Sequence, residues 1–285
     1  MVPRSHLIII GVDNPVGLSL SEQAQSHNLR FTAITSTDWN LNDLADIRRH
    51  LEETHATVLV NTLTAKQSLS AEKAAYLAQA CESAGVAMVQ LSSSLVFSGQ
   101  DGSHFTETDA LTLNTDEAKR YAVIEEAIMR HCRRYLLLRV GWLFSSKGED
   151  VASRVLSLAK QEQHLHLSDR KQVSPTSACD TAAVLLAMTR QVQYTESLWG
   201  IYHYSSSEVM SLFQFAEVVV ANARQYDVLM VEDIVADNAS DMNRHFSEAS
   251  PLLASKKILF SFGIKPKPWK QALSRVLKRR YQVTA

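Results

Sequence analysis

Short apolar runs rich in Val, Ile and Leu alternate with longer stretches of helical period through the first half of the chain. The runs His6–Val12, Arg30–Thr35, Ala56–Asn61, Ala87–Ser92 and Tyr135–Gly141 are predicted strands. They lack the polar–apolar alternation of a strand with one wet face, so they suit a parallel sheet covered on both faces. Between them lie helical patterns at Gly17–Ser26, Leu41–Thr54, Ala71–Ala84 and Asp116–Cys132, with Asp150–Gln163 as a further helix. Strands alternating with helices of this length predict an α/β architecture with crossover helices.

After about residue 165 the rhythm changes. Pro175-Thr176 opens a helix running to about Arg190, Gly200–Tyr204 is a short strand, and Leu212–Tyr226 is a helix. Val228–Val235 reads as a strand and Asp237–Ser250 as a polar loop. Lys265–Tyr281 reads as a basic helix started by Pro266 and Pro268, whose cations favour its C-terminal end. Phe213, Phe215 and Trp269 fall at core spacings. The expected organisation is a nucleotide-binding unit over 1–165 and a smaller C-terminal α/β lobe over 166–285.

Composition narrows the function classes. The 285 residues carry a formal net charge of -1 and are 46% hydrophobic. This argues for a globular protein and against a basic nucleic-acid binder. No apolar run approaches the ~20 residues of a membrane span. The start is too short for a secretory signal, and Val2–His6 has the look of a tag remnant and is given no function. Cys81, Cys132 and Cys179 are widely separated, which supports neither a disulfide framework nor a zinc site. A cytoplasmic location is the expectation. His164 and His166 stand two apart and read as surface residues rather than metal ligands.

The first strand runs into Gly11-Val12-Asp13-Asn14-Pro15-Val16-Gly17. A dinucleotide loop uses three glycines here: to turn, to admit pyrophosphate, and to pack helix on strand. Gly11 and Gly17 take the outer two positions, and Asn14 takes the middle one. The Asn14 side chain occupies space that phosphate needs, Pro15 removes an N–H, and Asp13 adds negative charge. Two readings stay open, a bare strand–helix turn and a weakened cofactor site. No Arg follows the second strand at Thr35-Ser36-Thr37, so nothing marks a 2′-phosphate pocket.

Further motifs carry a resemblance. Val89–Gly99 reads VQLSSSLVFSG, and Phe105–Asp109 reads FTETD. Leu137–Phe144 reads LLRVGWLF, Pro175-Thr176 is followed by Asp180 and Ala182, and Gly200–His203 reads GIYH. In order and spacing these resemble the dTDP-4-dehydrorhamnose reductase family of extended short-chain dehydrogenases/reductases. The resemblance implies a Rossmann-like doubly wound parallel sheet, an NAD or NADP cofactor, a sugar-nucleotide ligand and no metal. By the same resemblance Gly11, Asn14, Val16, Gly17, Asn61 and Thr62 border the cofactor. The helices Ala71–Ala84 and Asp116–Cys132 would form a homodimer.

The family's catalytic pair is a Tyr and a Lys four residues apart on one helix face. There the Lys lowers the Tyr pKa, and the Tyr gives a proton to the substrate oxygen. Counting from Glu107-Thr108-Asp109, the Tyr position holds Glu117 and the Lys position holds Tyr121. Glu125 matches the Glu that follows the Lys. Taking Tyr121 as the acid instead requires Lys at 125, so both registers fail, and Lys119 lies off their shared face. Ser93 matches the family's hydroxyl, beside Ser92 and Ser94. The chain is also roughly eleven residues shorter between Asn61 and Ser92 than the family pattern. Glu248–Leu253 lacks the two arginines expected near a sugar nucleotide, with Arg244 out of register.

These departures predict a non-catalytic or nearly inactive relative with a regulatory, scaffolding or ligand-sensing role, binding a weakened NAD(P), a sugar nucleotide or a protein partner. The regulatory subunit of eukaryotic methionine adenosyltransferase, which resembles the same reductases, offers a precedent. The alternative is an active NAD(P)H-dependent sugar-nucleotide reductase using Ser93 with Glu117 or Tyr121 as acid.

Overall fold

The computed structural model describes residues 5–98, 104–192, 194–195, 197–246 and 251–282. Its centre is a six-stranded sheet of β1 (His6–Ile10), β2 (Arg30–Ile34), β3 (Val58–Asn61), β4 (Ala87–Ser93), β5 (Tyr135–Val140) and β6 (Gly200–Tyr204). The strand order is β6-β5-β4-β3-β1-β2, with every pair parallel. This is the Rossmann-like doubly wound arrangement. The chain winds outward from β1 to β2, then crosses back to β3 on the other side. The crevice beyond the C-terminal ends of β1 and β3 is therefore the topological switch point, where such sheets bind ligands.

Nine helices flank this framework among the described residues: α1 (Pro15–Ser26), α2 (Leu44–Thr54), α3 (Ala71–Ala84), α4 (Asp116–His131), α5 (Val151–Gln161), α6 (Ala178–Gln191), α7 (Leu212–Ala223), α8 (Lys256–Phe262) and α9 (Trp269–Gln282). Helices α1 and α6 cover one face of the sheet, where Leu7, Ile9, Val60 and Val89 meet Leu20, Ala24 and Leu185. Helices α2, α3 and α4 cover the other, where Ile8, Ile10 and Leu59 meet Ile47, Leu77 and Ile124. Burial on both faces explains the unbroken apolar run of β1. A separate core forms where α5, α7 and α9 gather around Phe144, Phe215 and Trp269.

Several elements differ from the sequence expectation. The first strand stops at Ile10 because Gly11, at φ +88°, turns the chain. Helix α1 starts at Pro15, two residues early, since Asn14 caps it and Pro occupies its first position. Helix α2 starts at Leu44, set by its cap Asp43. The strand expected at Val228–Val235 is Asp233–Ala236, placed by parallel pairing with His164–Leu167. Within the expected loop Asp237–Ser250, residues Asp241–Phe246 form a 3-10 turn, and 247–250 lie outside the described residues. Helix α8 had no prediction. Of the run Val2–His6, residues 2–4 lie outside the described residues, and His6 is buried in β1, with its ring bonded to the Thr54 carbonyl (2.6 Å) and the Thr32 hydroxyl (2.9 Å).

Candidate functional site

A buried ion pair sets the geometry beneath the switch point. Glu125 on α4 and Arg139 on β5 are essentially inaccessible. Arg139 donates from Nε (2.9 Å) and Nη2 (2.6 Å) to the two carboxylate oxygens, a bidentate pairing. Ser92, at the end of β4, adds a 2.6 Å bond to the same carboxylate. His203 of β6 completes the group. Burial first, and then the neighbouring Arg139 charge, push its imidazole down to about 3. The neutral ring donates from Nδ1 to the Phe105 carbonyl (3.1 Å), which leaves Nε2 to face Arg139 at 3.4 Å. Helix α4 is thereby fixed to β4, β5 and β6. Residues 117, 121 and 125 share one face of it, one turn apart.

That anchorage places the two positions in question. Tyr121 is buried, and its hydroxyl donates to Thr64 Oγ1 over 3.2 Å. Thr64 in turn donates to Gln67 Oε1 at 2.5 Å. Glu117, one turn further out, sits 3.6 Å from Lys66 Nζ. In the first turn of α4 its charge also complements the helix dipole. Lys119 points elsewhere and reaches Asp116 at 3.3 Å. Ser93 accepts the Leu95 N–H and caps the short turn Ser94–Val96.

The glycine loop is closed by its own side chains. Asn14 Oδ1 accepts the N–H groups of Val16 and Gly17, each at 3.0 Å. Its Nδ2 donates to Thr62 Oγ1 at 2.9 Å. Thr62 donates onward to the Ile10 carbonyl at 2.8 Å. The N–H groups of an open helix N-terminus are the natural seat of a pyrophosphate; here the Asn14 carboxamide holds two of them. A Cβ on Gly17 would lie 2.1 Å from the Gly11 carbonyl oxygen, so this glycine serves close packing. Asp13 accepts from the Ser36 N–H (2.9 Å) and hydroxyl (2.5 Å). Burial raises the Asp13 carboxyl, but these bonds outweigh it and hold the group below its ordinary value. They tie the loop to the segment after β2. Asn61 is fully buried and bonded to Gln90 and to the Leu63 N–H, away from the pocket.

A cavity of about 190 Å³ lies over these groups, lined by Asn14, Val16, Thr62, Thr64, Lys66, Ser93 and Tyr121 on one side. Trp142, Asp150, Arg154 and Phe246 line the other. Pockets for drug-sized ligands usually run to ~300–1,000 Å³, so this cavity is small for that class. The structure thus brings Ser93, Glu117, Tyr121, Asn14 and Thr62 into one neighbourhood and leaves Asn61 outside it. Sequence reasoning missed the Thr64–Gln67 turn. Its Thr-x-x-Gln capping-box spacing was the available signal, and both reciprocal bonds of that box form.

The remaining candidates resolve simply. His164 Nδ1 meets Asp233 at 2.6 Å, and His166 lies 3.6 Å from Asp237, across paired strands. Among the described residues no group of three or more His, Cys, Asp or Glu side chains could hold a metal. No described helix is long and apolar enough to cross a membrane. Arg244 is exposed and pairs with Asp241 at 2.9 Å.

Comparison with known proteins agrees with this fold. The family described as the RmlD substrate binding domain matches residues 5–282. The spore coat polysaccharide biosynthesis protein SpsK of Bacillus subtilis (strain 168) is 22% identical over 286 residues, covering 96% of this chain and 97% of that protein. A dTDP-4-dehydrorhamnose reductase from Clostridium acetobutylicum superposes with a TM-score of 0.81 at 20% identity, covering 96% of this chain and 98% of that one. The corresponding reductase from Bacillus anthracis, solved in complex with NADP, gives a TM-score of 0.79 at 17% identity, covering 96% and 99%.

Proposed function

The chain belongs to the RmlD substrate binding domain family, and from that premise we propose that it is a sugar-nucleotide-binding relative of dTDP-4-dehydrorhamnose reductase that has lost hydride-transfer chemistry. Its role is then regulatory, scaffolding or ligand-sensing, alone or through a protein partner. The observation that carries this reading is the Asn14 side chain, which takes the Val16 and Gly17 N–H groups and is itself held by Thr62. A cofactor pyrophosphate would have to displace it. The residues present therefore fit NAD or NADP poorly at the pyrophosphate end. Tyr121 supports the same reading, because its hydroxyl is engaged by Thr64 at 3.2 Å where the family carries a lysine.

The test is calorimetric titration with NADPH and then NADH, followed by a turnover assay with dTDP-4-dehydrorhamnose. The expected result is no saturable binding at micromolar cofactor and no cofactor oxidation. Cofactor oxidation that Ser93→Ala abolishes would sink the proposal.

One observation favours the alternative of an active reductase. Lys66 reaches the pocket from the turn after β3 and pairs with Glu117 at 3.6 Å, so a cation is present although α4 does not supply it. Under that reading Tyr121 or Glu117 is the acid and Ser93 orients the substrate oxygen. Lys66→Ala would then reduce turnover while leaving the fold intact.

A further inference from the structure

A second crevice of about 200 Å³ opens behind the first, between the first turn of α1, the start of α6 and the outer face of α9. It has three features that the first pocket does not combine. Lys147, Arg275 and Arg279 line it together. Of these cations, Arg279 donates to Glu22 over 2.9 Å. Among the described residues the Lys147 and Arg275 side chains have no hydrogen-bonding or ion-pair partner. Three cations therefore face one carboxylate. The first turn of α6, with Ala178 and Cys179, opens on the same space and adds the positive end of a 14-residue helix. Apolar groups line it too: Leu18 from α1, and Ala272 and Val276 interleaved with the two arginines on the same face of α9.

We propose that this crevice binds a small phosphorylated metabolite, with the phosphate held by Arg275 and Lys147 and its organic body against Leu18, Ala272 and Val276. Guanidinium forks match phosphate oxygens and the apolar groups reward an organic group over the bare ion. The size admits one ring with its phosphate, not a dinucleotide. Pro15, Ser145 and Ala178 line both cavities, so a ligand here presses on the wall of the first pocket. The site goes beyond the function proposed above and stands whether or not the first pocket binds a sugar nucleotide.

The experiment titrates the full chain with phenyl phosphate and with inorganic phosphate, by calorimetry at fixed ionic strength. Expected are saturable binding of both and about tenfold tighter binding of phenyl phosphate, the gain from partly burying one ring. Arg275→Glu and Lys147→Glu each weaken phenyl phosphate at least tenfold. Arg275 lies on the exposed face of α9, so its reversal leaves the core in place, and Arg275→Lys gives a milder loss. A second readout needs no variant. Cys179 is the exposed cysteine and lines the crevice, whereas Cys81 and Cys132 are buried. Phenyl phosphate should slow the alkylation of Cys179 by iodoacetamide. Absence of saturation up to about 10 mM overturns the proposal, as does tight binding that survives both charge reversals. If Ser93→Ala weakens binding and Arg275→Glu does not, the ligand occupies the first pocket and the proposal fails.

Discussion

Asn14 and Thr62 are joined by a 2.9 Å hydrogen bond that spans the crevice between the ends of β1 and β3. Ligands of doubly wound sheets enter at this crevice, so the bond acts as a latch across the nucleotide seat. Asn14→Gly removes it and frees the Val16 and Gly17 N–H groups. The expected outcome is a gain of NADPH affinity in calorimetry, with a stability loss of about 1 kcal/mol for the lost cap and cross-crevice bond. An unchanged affinity would assign the weak seat to another residue.

The Tyr121 hydroxyl donates to Thr64 Oγ1, and Tyr121→Phe separates structure from chemistry. As a structural group it costs about 1 kcal/mol in urea denaturation and changes nothing else. If cofactor oxidation is detectable in the wild type and drops about a hundredfold or more in Tyr121→Phe, the hydroxyl is an acid.

Glu125 and Arg139 form a fully buried pair, so removing one partner strands the other charge. Arg139→Met should cost about 3–5 kcal/mol in equilibrium unfolding, and the double replacement Glu125→Leu with Arg139→Met should cost less than either single change. Additive losses would show that the pair carries no coupling.

His203 gives a pH signature. Burial, with Arg139 second, holds its folded pKa at about 3, against 6.5 for the free side chain. A depressed histidine pKa means that the unfolded chain binds the extra proton. This contribution to stability is complete above about pH 6.5, falls as pH drops, and levels off below about pH 3. Chemical denaturation at pH 7.5, 6 and 5 should follow that slope, with a loss of roughly 2 kcal/mol by pH 5. His203→Gln should flatten the same window.

Gly17→Ala tests the loop packing. The added methyl would stand 2.1 Å from a backbone oxygen, so either α1 or β1 must move. A loss of about 3 kcal/mol or more is expected, read as a lowered Tm.

The sheet was legible because β1, β3 and β4 are apolar without alternation, a pattern that only burial on both faces accommodates. The helical period of Asp116–Cys132 likewise marked α4, which ends one residue earlier at His131. Elements held by tertiary pairing were not legible. Asp233–Ala236 forms where His164–Leu167 offers a partner, and the apolar residues Val228 and Met230 just before it stay exposed. Helix α8 is seven residues long and has no side-chain cap bond, so its sequence carried little local signal. The site shows the same division. Asn14 in a glycine position was visible as a departure, but its bond to Thr62 depends on a contact between residues 48 apart. Lys66 was hidden for the same reason, since its partner Glu117 lies on another element.

Helix α9 reaches back to both ends of the pocket wall. Arg279 meets Glu22 on α1 across 257 positions of sequence, and Arg280 donates to the Ser145 (2.9 Å) and Gly148 (3.2 Å) carbonyls. During synthesis the amino-terminal half therefore emerges long before the residues that brace its first helix. At the ~5–20 residues per second of translation, α1 waits for some tens of seconds for that brace. In that interval α1 is held by its packing on the sheet and, once made, by α6. The tie between the two ends of the chain is therefore among the last contacts that synthesis permits.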